Sequence, residues 1–253
     1  MTFERNSNVS ANRPLWVVHF DAPQPYRPLW DLQRELWSAR HAGEIPDVLL
    51  LLEHTPVITL GRNSRREHLL FSDETYLERG VDVVSVDRGG DVTFHGPGQL
   101  VGYWIFDLKQ LYPDVHRYLR EIEETLIRTV AEFGVTGQRS AGATGVWAED
   151  ESGALSKVAA IGLHLSHWVS THGFALNLSN DLAAFDGIVP CGLHGRGVTS
   201  LSRLIEPNAA PSRTEVEAAL VEQTTRIFPR EALWLTPEDL QLRVRERDHA
   251  RVA

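Results

Sequence analysis

Hydrophobic residues in the first half of the chain fall into short continuous runs and one helical repeat. Runs of this length that end at a charge or a glycine are typical of strands, whereas apolar residues spaced three or four apart are typical of amphipathic helices. The run at 48–53 is uninterrupted up to its final glutamate, which is typical of a central strand. The pattern therefore predicts a helix over 28–41 and strands at 15–20, 48–53, 56–60, 81–86 and 100–108.

The second half begins with the clearest helical stripe, which runs from Val115 to Phe133 and ends at Gly134. The tail is predicted to be helical, because Ser212 and Glu215 have capping-box spacing and Pro237 stands at a helix start. Helices interspersed among many strands predict an α/β (α+β) fold with a mixed β-sheet flanked by helices. Further strands are predicted at 144–148, 158–164 and 168–178, with a turn at 152–154.

The length of 253 residues fits one large domain or two small ones, and 42% hydrophobic residues suffice for a sizeable core. We assign residues 14–253 to a single domain with a helical C-terminal segment from about residue 206. Residues 1–13 are polar, lack the apolar core of a signal peptide, and are expected to be a disordered lead-in. No apolar run is long enough to span a bilayer, so we expect a cytoplasmic protein with no membrane partner.

The net charge of -9 argues against a nucleic-acid partner, since phosphate binding needs clustered Lys and Arg. One basic loop stands out in this acidic chain, with Arg62, Arg65 and Arg66 close together. It is either a solvated turn or a docking patch for an acidic or phosphorylated partner.

Cys191 is the only cysteine, which excludes an internal disulfide and a multi-thiolate metal cluster within one chain. It is therefore either a buried structural thiol or a nucleophile. Pro190 and Gly192 flank it and favour a bend from which the sulfur can point into a cleft. A metal site that combines Cys191 with His194 rests on spacing alone, and we predict no metal.

The segment from Arg88 to Gln99 contains four glycines, a proline and a histidine. It is either a loop that brings backbone N–H groups close to a ligand or a pair of tight turns in which His95 is simply hydrogen-bonded. It lacks the Gly-Lys-Ser/Thr ending of a Walker loop, and no helical pattern follows it as in a dinucleotide fingerprint.

Two further segments have both a structural and a chemical interpretation. Lys157 heads an apolar strand and is either a surface residue or, in a cleft near Cys191, a cation that stabilises the thiolate. Gly173 and Ala175 make one face of their strand small, which leaves room for a ligand or allows close packing against a helix.

In this order and spacing the segments resemble the lipoyl(octanoyl) transferase family. The resemblance covers about residues 45–205, extending upstream through Glu53-His54-Thr55-Pro56 and downstream to Val198-Thr199-Ser200-Leu201. The motifs that carry it are Arg88-Gly89-Gly90-x-x-Thr93-x-His95-x-Pro97-Gly98-Gln99, Lys157 with Ile161-Gly162, His172-Gly173-x-Ala175-Leu176-Asn177, and Pro190-Cys191-Gly192.

The resemblance implies transfer of an octanoyl group from acyl carrier protein to a lysine on lipoyl domains. These domains belong to 2-oxoacid dehydrogenases and the glycine cleavage H protein, and no cofactor is required. Cys191 would carry the acyl group as a thioester, and Lys157 would lower the pKa of its thiol. The fold would be that of the lipoate and biotin protein ligase catalytic domain. The substrate-binding residues would be Arg88, Gly89, Gly90, Asp91, Val92, Thr93, Phe94, His95, Ala160, Ile161, Gly162, Gly173, Phe174 and Ala175.

Three other functions stay open on the residues alone. An ATP-dependent lipoate ligase would share the fold and a site lysine but would need no nucleophilic thiol. A cysteine hydrolase would pair Cys191 with a histidine such as His95, His172 or His194, and a binding module would have no catalysis. For a transferase, Tyr103, Ile161 and Phe174 are the expected walls of an apolar acyl slot.

Overall fold

The computed structural model describes residues 13–189, 197–205 and 210–252. The helices within these ranges are α1 (Tyr26–His41), α2 (Asp73–Glu78), α3 (Val115–Ala131), α4 (Leu201–Leu204), α5 (Arg213–Ile227) and α6 (Pro237–Val252), with 3-10 turns at Arg66–His68, Leu108–Gln110 and Leu182–Gly187. The strands are β1 (Pro14–His19), β2 (Asp47–Leu52), β3 (Val57–Leu60), β4 (Asp82–Ser85), β5 (Val92–His95), β6 (Gln99–Ile105), β7 (Gln138–Ser140), β8 (Ala143–Glu149), β9 (Leu155–Ser166), β10 (Val169–Asn177) and β11 (Glu231–Leu235). The predicted lead-in lies outside the described residues, except for Arg13.

The described strands form one large and one small sheet, and both are mixed. The large sheet has the order β11-β1-β2-β6-β10-β9-β8-β7, with β1 parallel to both of its neighbours and the other pairs antiparallel. The small sheet has the order β4-β3-β5, with β4 parallel and β5 antiparallel to β3. This confirms the predicted α/β fold class with a mixed sheet.

Helices cover both faces of the large sheet, and β2 explains why. Leu49 and Leu51 contact the core that α3 and α5 complete, whereas Leu50 and Leu52 contact the core beneath α1 and α6. All residues of β2 are buried, because side chains of a strand alternate between faces and both faces are covered here. Its uninterrupted apolar run was thus a correct sign of a central strand.

Most predicted elements are present with boundaries that shift by one to three residues. The strand predicted over 100–108 ends earlier, at Ile105, because Asp107 accepts a hydrogen bond from the backbone of Lys109 (3.0 Å) and starts a 3-10 turn. The capping box is formed by Ser212 and Glu215, and Pro237 is the first residue of α6.

Two strands that matter for the architecture were not predicted. Val92–His95 forms β5 within the glycine-rich segment, where a loop was expected. In the tail, which was expected to be helical, Glu231–Leu235 forms edge strand β11 beside β1. Both are short and obtain their hydrogen bonds from partners distant in sequence, so local pattern alone does not identify them. Within the described ranges, no helix combines the length and apolarity that crossing a bilayer requires.

Candidate active site

A cavity of about 410 Å³ lies where β5, β9 and β10 come together. Strands β9 and β10 are antiparallel, with Gly162 opposite Gly173 and Ala160 opposite Ala175, so small residues from both strands share this part of the wall. Of the residues predicted from the sequence, those that line the cavity are Arg88, Gly89, Gly90, Asp91, Val92, Thr93, His95, Lys157, Ala160, Ile161, Gly162, Gly173, Phe174 and Ala175. The segments therefore converge in space.

Of the other two predicted residues, Phe94 is not in this wall. Phe94 points away from Thr93 and His95, as strand alternation requires, and packs against Phe185 with ring centroids 5.7 Å apart. Cys191 lies outside the described residues. The three expected walls of the acyl slot, Tyr103, Ile161 and Phe174, do line the cavity.

Arg88 and Gly89 fix the glycine-rich segment to one strand of each sheet. Its guanidinium donates to the carbonyl (2.7 Å) and hydroxyl (2.8 Å) oxygens of Thr59 on β3. The backbone N–H of Gly89 donates to the carbonyl of Leu163 on β9 (2.7 Å). A Cβ on Gly162 would lie 3.0 Å from the Gly89 oxygen and 3.1 Å from Arg88 Cδ, so glycine permits this close approach. Arg88 thus shapes the wall through the backbone it holds.

A cluster of aromatic and imidazole rings forms another part of the wall. Tyr26, His95, Tyr103 and His172 line the cavity, and His54 lies behind them. His54 Nδ1 must donate to the carbonyl of Gln24 (2.8 Å), so its Nε2 accepts from the Tyr103 hydroxyl (2.5 Å). The Tyr26 ring lies 4.9 Å from that of His54 and 6.1 Å from that of His95.

Burial sets the protonation of this ring cluster. It lowers the pKa of His54 to about 4, and it lowers the pKa of His95 well below its usual value, aided by the nearby His54 and Arg88. Burial also raises the pKa of Tyr26 and Tyr103, so the phenols stay protonated. Near neutral pH, His54, His95 and both phenols are therefore uncharged.

A row of amides connects His95 to the chain beyond the undescribed segment. His95 Nδ1 donates to Gln99 (2.8 Å), and the Gln99 amide donates to Asn177 (2.9 Å). Asn177 in turn donates to the carbonyl of Thr199 (2.9 Å), and the Thr199 N–H donates to the carbonyl of Lys157 (2.9 Å). These hydrogen bonds between residues of separate motifs thus hold the backbone around Lys157 in place.

Lys157 lies at the cavity with its ammonium 4.8 Å from the centroid of the Trp147 ring, a cation–π distance. Its backbone N–H donates to the carbonyl of Gly197 (3.0 Å), the first described residue after 190–196. Phe185 and Val198, which lie on either side of that segment in the chain, both line the cavity. Both flanks of the segment that contains Cys191 are therefore close to the cavity.

The three arginines of the basic loop have different surroundings. Arg65 pairs with Glu67 (3.3 Å) and Arg66 with Asp73 (2.7 Å), and all four side chains are exposed. Arg62 contacts Nδ1 of His164 (3.1 Å) on β9.

Several lining residues lacked a signal that identified them as part of a site. Val115 was part of the predicted helical stripe of α3, Leu119 was not singled out, and Tyr26 begins α1 without a motif around it. Gln99 stood within a quoted motif without an assigned role, and His172 was named only as a histidine that a cysteine hydrolase would pair with Cys191. Among the residues that the structure describes, no group of three or more His, Asp or Glu side chains is arranged to hold a metal ion.

The family model described as the lipoyl protein ligase A/B catalytic domain matches residues 25–225. Octanoyltransferases from Acidobacterium capsulatum and Chloroflexus aurantiacus are 50% and 49% identical, covering 83% and 84% of this chain and 89% and 93% of their own length. A bi-partite lipoate protein ligase from Thermoplasma acidophilum, solved in a study of that ligase and its E2 lipoyl domain, has a TM-score of 0.68 at 14% identity. That match covers 94% of this chain and 92% of the other, and it confirms the predicted likeness to the lipoate ligase fold.

Proposed function

Because the chain belongs to the lipoyl protein ligase A/B catalytic domain family and is an acyltransferase of the octanoyltransferase type, we propose a thioester mechanism for it. It moves octanoyl from acyl carrier protein to Cys191 and then to a lysine of a lipoyl domain. The acceptors are the lipoyl domains of 2-oxoacid dehydrogenases and the glycine cleavage H protein. The observation that carries this proposal is the placement of Lys157 in an acyl-sized cavity that both flanks of the Cys191 segment border.

In the first step, the Cys191 thiolate attacks the carbonyl carbon of the donor thioester. A new carbon–sulfur bond forms, the bond to the carrier's sulfur breaks, and the carrier leaves as a thiolate that takes up a proton. A free thiol with a pKa of about 8.5 is mostly protonated at neutral pH, so the ammonium of Lys157 favours the attacking thiolate. The donor is already a thioester, and the exchange needs no ATP.

In the second step, the acceptor lysine attacks the acyl-enzyme, the amide bond forms, and the Cys191 thiolate leaves. The attacking amine must lose a proton. Once Cys191 is acylated, Lys157 no longer faces a negative sulfur and its pKa falls. Its ammonium then gives up a proton, which the departing carrier thiolate takes up, and the neutral Lys157 amine accepts the proton of the attacking lysine. Backbone N–H groups near Cys191 and in the glycine-rich segment stabilise the negative oxygen that develops in both steps.

The octanoyl chain lies against Ile161, Phe174 and Tyr103, with the glycine-rich segment as the remaining substrate-binding wall. Burial of six methylenes and a methyl at ~0.8 kcal/mol each contributes at most roughly 5 kcal/mol. This is enough to orient the acyl group without preventing its release.

The basic loop supports docking of the acidic donor. Exposed ion pairs such as those of Arg65 and Arg66 contribute at most about 1 kcal/mol each, so these arginines exchange their partners readily for carboxylates of another protein.

We further propose that residues 14–253 form one cytoplasmic catalytic domain, since β11 in the tail completes the same sheet as β1.

The deciding experiment is intact mass after incubation with octanoyl-acyl carrier protein, with and without a lipoyl domain, for wild type and Cys191→Ser. We expect one octanoyl adduct on wild type, removable by hydroxylamine and discharged onto the lipoyl domain, and none on the variant. Modification that requires ATP and free acid would identify a ligase instead. An adduct that decays to free acid despite the lipoyl domain would identify a hydrolase.

Substitutions of Lys157 distinguish its role in acylation of Cys191 from its role in transfer to the lipoyl domain. Lys157→Ala should slow acylation at neutral pH by about tenfold for each unit by which the thiol pKa rises. Lys157→Arg keeps the positive charge but its guanidinium does not give up a proton in proteins, so acylation should persist while transfer to the lipoyl domain slows. Single-turnover kinetics of each step would measure this.

Lys109 is the other lysine of the chain and is exposed, which makes Lys109→Ala the matched control. If Lys157→Ala left the rates of both steps at their wild-type values, the proposed role of Lys157 would be wrong.

A further inference from the structure

His172 has a backbone conformation that residues other than glycine rarely adopt. Its φ is 60°, although it lies within β10 and pairs with Leu163 of β9. This conformation is unfavourable for a residue with a Cβ, and it persists only where the surroundings enforce it. The residue is also fully buried and lines the cavity.

Three contacts from different elements hold this residue. Its backbone N–H donates to the Gln33 side chain on α1 (2.8 Å), and its Nε2 donates to Asp87 (2.9 Å). Its Nδ1 lies 3.4 Å from the Tyr26 hydroxyl. Asp87 also accepts from the Trp30 indole (3.2 Å), which fixes the carboxylate. The imidazole is therefore held on both sides.

The position of His172 along the strands matches the far end of an acyl slot. Leu163, its partner, lies six residues further along β9 than Lys157, which is roughly 20 Å at the rise of a strand. An octanoyl thioester spans roughly 9 Å at the ~1.2 Å per bond of an extended chain. The difference leaves room for the lysine side chain and the reacting atoms before the acyl chain reaches the ring.

We propose that His172 is a specificity-determining residue whose imidazole closes the slot and sets the longest acyl chain the enzyme accepts. Asp87 and Gln33 act as positioning residues that hold the ring in place. This inference rests on the proposed transferase function and extends it to the choice of acyl group.

The test replaces His172 by glycine, which adopts a positive φ without strain and removes the ring. His172→Asn is the second variant, because asparagine tolerates this conformation better than most residues and is shorter. Each variant is assayed with octanoyl-, decanoyl- and dodecanoyl-acyl carrier protein. We expect the rate ratio of longer to octanoyl donors to rise about fourfold for every additional methylene that the enlarged slot accepts.

Two substitutions of Asp87 distinguish its positioning of the His172 ring from a general structural effect. Asp87→Asn retains a hydrogen-bond acceptor and should keep the wild-type chain-length profile, whereas Asp87→Ala releases the ring and should shift the profile towards longer chains. The matched control is His167→Gly, because His167 also has a positive φ (52°) but is exposed in the β9–β10 turn.

Thermal shift with free octanoic, decanoic and dodecanoic acid on the same variants measures which chain lengths the slot binds. This measurement does not depend on the transfer reaction. If wild type transfers octanoyl and the folded His172 variants keep its chain-length profile, the inference is overturned. If wild type transfers no octanoyl, the proposed function fails, and the ratio of fatty-acid affinities in the variants alone decides the inference.

Discussion

At the scale of single residues, one buried ion cluster connects parts of the chain that are far apart in sequence. Asp47 at the start of β2 pairs with Arg40 of α1 (2.7 Å) and with Arg230, just before β11 (2.8 Å). All three side chains are almost completely inaccessible to water. Desolvation makes such a cluster a weak net stabiliser, but removal of Asp47 takes away the carboxylate that both buried arginines share.

Asp47→Ala should therefore lower the free energy of unfolding by about 3–5 kcal/mol, because two buried guanidinium groups lose the carboxylate they share and Arg40 keeps only the more distant Asp107 (3.7 Å). Asp31→Ala is the matched control, since Asp31 pairs with Arg34 on the surface. It should cost no more than about 1 kcal/mol. Urea unfolding measures both values, and equal losses would contradict the assigned importance of burial.

At the scale of elements, α5 illustrates a local signal that the fold uses as predicted. The Ser212 hydroxyl accepts from the Glu215 N–H (3.3 Å), and the Glu215 carboxylate accepts from the Ser212 N–H (2.8 Å). Ser212→Ala should cost about 1 kcal/mol, because an N–H at the helix start loses its partner. Urea unfolding of Ser212→Ala beside the exposed substitution Ser152→Ala provides the measurement. An undiminished stability would show that water satisfies the helix start equally well.

The sequence predicted those elements whose causes are local. The stripe of α3, the run of β2 and the capping box of α5 each arise from residues close together in the chain. In contrast, β5 and β11 are short segments stabilised by β3 and β1. The cavity follows the same division: the glycine-rich segment, Lys157 and the strand after His172 were recognisable as motifs. Tyr26 was not, because only folding brings the start of α1 to the ring cluster.

At the scale of the whole molecule, the cavity is built around histidines that cannot take up protons easily. Burial lowers the pKa of His54 to about 4 and also lowers the pKa of His95 and His172. In the unfolded chain a histidine has a pKa of about 6.5. As the pH falls below that value, the unfolded state binds protons that the folded state does not, so acid favours unfolding.

The free energy of unfolding should consequently decrease from pH 6.5 towards pH 4, by about 1.4 kcal/mol per pH unit and about 3 kcal/mol in all for His54, and His95 and His172 add to this decrease. Asp87 does not account for this slope: its hydrogen bond from His172 lowers its pKa, so its contribution is lost only below about pH 4. Urea unfolding at pH 7.5, 6.5, 5.5 and 4.5 gives the slope. His54→Asn should reduce the slope by about 1.4 kcal/mol per pH unit, which is the contribution of one proton. His116→Asn, at an exposed position, is the control and should leave the slope unchanged. If His54→Asn left the slope unchanged, His54 would be protonated in the folded protein. The conclusion that the ring cluster of the cavity wall is uncharged would then be wrong.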